Sequence, residues 1–486
     1  MDPLLEHRLL ETRRQFFARG RHALGYATLT SLLADSLPAR AAIAGGDQPL
    51  LPHFPPKARH VIYLHMVGGP SQMDLFDYKP VMNEWYDKDL PDSIRQGQRL
   101  TNMTVDQQRF PIAPSKYPFR QVGQNGFWMN ADMLPWTARC VDDLCIVRSL
   151  HTEAINHEPA ICHMQTGNQV TGRPCIGSWV SYGLGAINQN LPAFVVLVAQ
   201  PSNSEQIQAI SGRLWSSGFL PGEHAGVSFR AGAEPILFIN NPPGVPPELR
   251  RAQLDGLNRL NQLTYREVGD PETHTRIQQF ELAFRMQASV PELTSVKSET
   301  KATWQLYGDL ARKPGTFAHA CLLARRLIER GTRFVQIYHN NWDHHANLAG
   351  RMPSQCQDVD QATYALIQDL KARGLFEETL IIWGGEFGRT IYSQGPLSRF
   401  NYGRDHHPRC FTMWLAGGGS NGGTIHGETD DFSYNIVKDP VHVRDFHATI
   451  LHLLGIHHER FTFKHQGLDH RLTGAEEAHP IKALIA

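Results

Sequence analysis

The sequence predicts an α/β protein whose large, mostly parallel sheet is covered by helices on both faces and carries a helical insertion. Three observations support this. Short apolar runs recur along the chain, segments with apolar residues at helical spacing separate them, and polar residues gather directly after the runs. At 486 residues the chain exceeds the usual size of one small core, so one large domain with insertions or two domains are expected.

The first element reads as an export address. Residues 1–44 hold Arg13-Arg14-Gln15-Phe16-Phe17, a mild apolar stretch from Ala23 to Ala34, and Ala42-Ile43-Ala44 before Gly45. Paired arginines, a short apolar segment and a small-residue cleavage site together match a twin-arginine signal peptide. The apolar part falls short of the ~20 residues that a span requires. The mature chain is therefore expected in the periplasm or outside the cell, with no stable membrane span. Twin-arginine export carries folded protein, a route suited to a chain that takes up a metal before crossing.

Residues 45–201 form the first half of the core. Here HVIYLHMV (60–67), LCIVRSL (144–150) and AFVVLVA (193–199) are expected as buried strands. Residues 202–315 read as an insertion, rich in Gly, Pro and Ser up to about residue 247 and then charged with helical spacing, as in TRIQQFELAFRMQASVPELTSV (275–296). Such an insertion either shapes substrate access or only packs. Residues 316–486 form the second half, with strands expected at RFVQIYH (333–339), TLIIWGG (379–385) and CFTMWLAGG (410–418). The intervening helical segments end in basic residues followed by Gly, which suits a C-cap.

Composition narrows the function. Apolar residues make up 41% and charged residues 19%, ordinary for a globular chain. Forty-seven basic residues balance forty-seven acidic ones, leaving no electrostatic footprint for nucleic acid or anionic lipid. Seven cysteines without a CxxC pair make neither a disulfide scaffold nor a thiolate zinc module. The 25 histidines equip the chain to bind divalent ions, although surface and capping histidines give the same count.

In open α/β sheets ligands gather beyond the carboxyl ends of the strands. Ser71, Asp74 and Asp77 follow the first run; Asp343, His344 and His345 follow RFVQIYH; Glu386 and Arg389 follow TLIIWGG; and Arg404, Asp405, His406 and His407 precede CFTMWLAGG. Each alone has a local explanation as a cap, turn or solvated loop residue. Together, carboxylates plus imidazoles suit Zn or Mn better than an all-oxygen calcium cage, with Ca or Mg as alternatives. The stretch NHEPAICHMQTG (156–167) follows a strand and starts a helix, where free N–H groups and the helix dipole favour a phosphate or sulfate.

On GGPSQMDLFDYKP, GSWVSYGLG, AFRMQASVPEL, LLARRLIERGTRFVQIYHNNWDHHANL, WGGEFGRT, GRDHHPRCFTMWLAGGG and HATILHLLGI, in that order, the chain resembles the DUF1501 family abundant in planctomycetes. The match covers almost the whole mature chain. More distantly it resembles the alkaline phosphatase and sulfatase superfamily, which implies a nucleophile at the helix start occupied by His157, ahead of Thr166-Gly167. That resemblance also implies metal ligands at Glu386-Phe387 and at His406 or His407. Two departures stand out: a histidine replaces the hydroxyl or thiol, and Phe387 replaces a metal-binding histidine. One or two ions therefore stay open, and His157 is a ligand, a general base or a nucleophile. A water activated beside an ion needs only that ion and a base.

The resemblance thus implies a secreted metal-dependent hydrolase of sulfate or phosphate esters, those of polysaccharides included. Asp74, Asp343, His345, Glu386, Asp405 and His406 are its candidate ligands. His157, Arg389 and Arg404 are its candidate catalytic residues, the arginines as a bidentate anion clamp. Asn156, Ser71 and His407 are candidate substrate contacts. The alternative is a catalytically degenerate relative that binds carbohydrate or protein outside the cytoplasm.

Overall fold

The computed structural model describes residues 52–202, 208–231, 235–236, 239–242, 244–398 and 401–486. The expected twin-arginine segment, residues 1–44, lies outside them. The apolar runs at 60–67, 144–150, 193–199, 333–339 and 379–385 become strands β1 (His60–Met66), β2 (Leu144–His151), β3 (Phe194–Ala199), β5 (Phe334–His339) and β6 (Thr379–Gly384), and β4 (Val227–Phe229) is a strand that the sequence did not suggest. They are followed by β7 (Gly388–Ser393), β8 (Arg404–His407), β9 (Phe411–Ala416), β10 (Thr424–His426) and β11 (Val441–His442). The helices that matter for the site and its supports are α1 (Gln72–Leu75), α2 (His157–Thr166), α3 (Ile176–Leu184), α4 (Pro247–Val268), α5 (Pro271–Thr294), α6 (Lys301–Tyr307), α7 (Phe317–Glu329), α8 (Leu348–Ala372) and α9 (Val443–Leu453).

The fold is mixed α/β. Nine strands make one sheet in the order β10-β2-β9-β6-β1-β5-β3-β4, with β11 also paired to β2. Neighbours are parallel except at β9, which runs antiparallel to both β2 and β6. β1 sits centrally, with Val61 opposite Phe334 of β5 and His60 opposite Thr379 of β6. Every residue of β1, β5 and β6 is buried, which is why they read as unbroken apolar runs. Alternate residues serve opposite faces. Ile62, Leu64 and Met66 join the core under α7 and α8, while Val61 and Tyr63 join the core under α2, α3 and α9.

Helix starts follow from local chemistry. Thr316 caps α7, its hydroxyl accepting from the His319 amide at 3.1 Å, and Asp270 caps α5 by accepting from the Glu272 amide at 3.0 Å. The charged segment forms the α4–α5 hairpin, which Arg251 clamps through Glu281 at 2.9 and 2.6 Å. The β7–β8 ribbon was not foreseen from sequence. Arg-Asp-His-His has no apolar alternation, and β8 is buried by its ion pairs and hydrogen bonds instead. Among the described residues no helix is long and apolar enough to cross a membrane.

This topology places the ends of β1, β2, β5 and β6 along one rim. At the end of β1, Gly68 has φ +116°, and a Cβ there would lie 2.5 Å from the Asp343 amide nitrogen. Only glycine permits that approach, and it locks the segment after β5 against the end of β1.

Histidines buried without charge tie stability to pH. His447 in α9 sits in the core with its Nε2 donating to the Met164 carbonyl at 2.8 Å, and burial pushes its pKa down to about 3. The unfolded chain, at about 6.5, binds the proton more readily. The contribution of His447 is therefore full above that value and is lost as pH falls toward 3. Urea unfolding at pH 7 and pH 4.5 should show a loss of stability in acid that is smaller in His447→Gln. An equal acid loss in the variant would contradict the assignment.

Candidate metal centre

Four side chains from three separate stretches meet at the rim: His157 at the start of α2, Asp343 and His345 after β5, and His406 in β8. One nitrogen or oxygen from each lies within 4.8 Å of the others. His157 Nε2 is 3.2 Å from Asp343 Oδ2, while His345 Nε2 and His406 Nε2 are 2.8 and 3.6 Å from Asp343 Oδ1. The three imidazoles thus turn the same atom, Nε2, toward one carboxylate.

Each ring is oriented from behind. His157 Nδ1 is 2.5 Å from Glu386 Oε1, His345 Nδ1 is 2.6 Å from Gln394 Oε1, and His406 Nδ1 is 2.8 Å from the Ile155 carbonyl. Acceptors behind the rings favour the proton on Nδ1 when each imidazole is neutral, which turns the Nε2 lone pair inward. Glu386 is fully buried and receives the Gly68 amide at 3.0 and 3.2 Å, with His65 Nε2 3.6 Å away. This carboxylate–imidazole arrangement is the usual support of a metal-binding histidine.

The electrostatics match. Burial opposes charge on Asp343, but the Arg389 guanidinium and the three imidazoles outweigh it and hold its carboxyl well below the usual range. Glu386 is likewise held low against its burial by His157 and His65. His157 is pulled down by burial, yet Asp343 and Glu386 together raise it above its ordinary value, whereas burial lowers His406.

The residues fit a divalent cation. The Nε2 atoms of His157 and His406 are buried without a hydrogen-bond partner, an arrangement that costs stability unless something accepts their lone pairs. Ligand atoms around a tetrahedral ion at bond lengths of ~2.0–2.1 Å stand roughly 3.3 Å apart, near the 2.8, 3.2 and 3.6 Å between each Nε2 and its Asp343 oxygen. Three imidazoles and one carboxylate suit Zn or a similar borderline ion.

Several sequence expectations are corrected. Asp74 is the buried counter-ion of Arg404, at 2.7 and 3.3 Å, and also accepts from Ser71 at 2.5 Å, so neither Asp74 nor Ser71 joins the cluster. Asp405 accepts from Thr101 and Thr104 at 2.5 and 2.6 Å and anchors that loop. Glu386 stands behind His157 rather than in the four-atom group. His407 is buried against Tyr434, its Nε2 donating to the Tyr434 carbonyl at 2.7 Å, which leaves no surface for substrate.

Nor are the arginines free to clamp an anion. Arg404 spends its remaining donors on the carbonyls of Thr390, Ile391 and Ala113. Arg389 donates to the carbonyls of Gly68, Gly69 and Arg404 and to Asp343 Oδ1 at 2.6 Å. Asn156 is exposed at the start of α2 and makes no side-chain cap bond. Sequence reasoning missed Gln208, whose Nε2 donates to Asp343 Oδ2 at 2.8 Å, together with Gln394 and His65. Glutamine carries no sequence signal of such a role. His65, by contrast, interrupts an apolar strand and could have been noticed.

The model of a family described as Protein of unknown function (DUF1501) matches residues 58–485. No curated protein sequence matches the chain. Solved structures resemble it distantly. Ps i-CgsB in complex with k-i-k-neocarrahexaose is 11% identical over 82% of this chain and 72% of its own, with a TM-score of 0.35. A sulfatase from Pseudoalteromonas sp. is 12% identical over 82% and 68%, at 0.33. Alkaline phosphatase from the Antarctic bacterium TAB5 is 11% identical over 82% and 98%, at 0.31. At these scores the reading of the site rests on its own geometry.

Elemental analysis of the purified chain is expected to find one divalent ion per molecule, held more weakly in His406→Ala. Affinity should fall about 10–100-fold in Glu386→Gln and rise as pH climbs above the ordinary histidine range, as His157 gives up its competing proton. Asp74→Asn should keep the ion but lose about 3–5 kcal/mol of stability by stranding Arg404. Loss of the ion in that variant would return Asp74 to the ligand set.

Proposed function

The chain belongs to the DUF1501 family, and on that premise we propose that it is a metal-dependent hydrolase of sulfate or phosphate esters, working around one divalent ion. The observation that carries this reading is the convergence of three imidazole Nε2 atoms on Asp343, each ring braced at Nδ1. When bound, a Zn or Mn ion would supply Lewis-acid polarisation of an ester oxygen and acidify a water molecule.

The protein's own groups define the rest. Asp343 and Glu386 against Arg389 leave the surrounding shell one negative charge, which a divalent ion reverses, so an anionic ester is attracted even though both arginines are occupied. Approach is from the side of His157 and His345, whose side chains are 11% and 17% exposed while His406 is 4% exposed. Asn156, exposed one residue before His157, and Gln208, which bonds Asp343, are the groups we assign to orienting the ester oxygens. His157 turns one nitrogen to Glu386 and the other to the cluster, which supports a ligand's role over a nucleophile's. Phe387 packs on His157 and His406 with ring centroids 4.9 and 4.6 Å away, an apolar ring where a second ion would want a ligand.

Polysaccharide esters are the substrate class we favour, and we assign export to the twin-arginine pattern of residues 1–44. A second reading, a binding module with a structural ion, draws on the occupied arginines and on a four-donor set that closes a tetrahedron. Assays of the metal-loaded protein on an aryl sulfate, a phosphate monoester and a phosphodiester distinguish the two. Turnover of at least one, abolished by chelation and reduced about 100-fold or more in His345→Ala, is expected. A stoichiometric ion with no turnover of any of the three would favour the binding module.

A further inference from the structure

A separate cavity of about 470 Å³ opens at the β4 edge of the sheet. That volume lies within the ~300–1,000 Å³ typical of small-molecule sites. Its floor is core: Leu197, Phe229, Ile239, Val290, Ala320 and Leu323 line it, all buried and all members of the larger apolar cluster. An apolar floor left open forfeits dispersion contacts that a bound apolar group would restore.

The mouth has a different character. Arg230, Lys297 and Arg312 line it and are exposed, and none of the described lining residues carries a carboxylate. Arg230 and Lys297 have no acidic partner among the described residues. Arg312 has Asp309 only at 3.7 Å, with that carboxylate wholly in solvent, and its guanidinium lies over the Trp304 ring, 4.3 Å from the centroid. Three cations lining one apolar entrance favour an anion there. The wall offers no deeper charge, because His319 is buried with its Nδ1 donating to the Ala311 carbonyl at 2.8 Å, and burial lowers its pKa.

We propose that this cavity binds an amphiphilic monoanion, its apolar body seated on the core floor and its carboxylate or sulfate head held by the cations at the mouth. The site stands apart from the metal cluster and does not depend on the hydrolase reading. Calorimetric titration of the full chain, below micellar concentrations, uses decanoate, decyl sulfate, decanol and decyltrimethylammonium. One anion per chain should bind, with decanol at least about tenfold weaker and the cation without measurable binding. Lys297→Glu/Arg312→Glu should weaken the anions by about tenfold or more, leaving ion content at the metal cluster unchanged. Leu323→Trp should block binding by filling the floor; if that variant fails to fold, the double surface variant decides. Absence of binding by both anions, equal affinity for decanol and decanoate, or an unchanged double variant would each overturn the proposal.

Discussion

The buried carboxylate of Asp343 is the constraint around which this molecule is organised. A bare carboxylate at such a depth is costly, and it stays ionised because Arg389 donates to it at 2.6 Å while three imidazoles surround it. Arg389 is in turn held by the carbonyls of Gly68 and Gly69 at the end of β1, so the charge pair is locked to the central strand of the sheet. Gly68 supplies the third connection, since its missing side chain lets the Asp343 backbone lie against it while its own amide supports Glu386. The rim is thus one connected network.

Such a network is poised rather than satisfied. Two inward-facing imidazole nitrogens are buried without a hydrogen bond, and His157 is drawn toward protonation by the two carboxylates beside it. A proton on His157 and a divalent ion at the cluster are alternative ways of neutralising the same negative charge. Binding of an ion only to the folded state would add stability by mass action, which couples folding of this rim to metal supply.

The sheet was legible because central parallel strands are apolar on both faces, so β1, β5 and β6 stand out as continuous runs. The gathering of polar residues at their ends was legible for the same topological reason. Which of those residues face one another was not. Neighbours on a strand point to opposite sides, so of His406 and His407 only one can reach the cluster, and the sequence holds no mark of which. Asp74 and Arg404 are 330 residues apart, and nothing local reveals that each consumes the other. Arg389 looks like an anion clamp until the carbonyls that saturate it are seen. Glu386 was placed at the right spot but one bond too close, since a carboxylate behind a histidine and one on an ion leave the same trace in sequence.

The most direct test is X-ray absorption at the metal edge of the zinc-loaded chain, compared with His406→Ala. A first shell of three imidazole nitrogens and one carboxylate oxygen at ~2.0–2.1 Å, losing one imidazole in the variant, is the expected result. A shell dominated by oxygen, or one unchanged when His406 is removed, would contradict a metal centre built on Asp343.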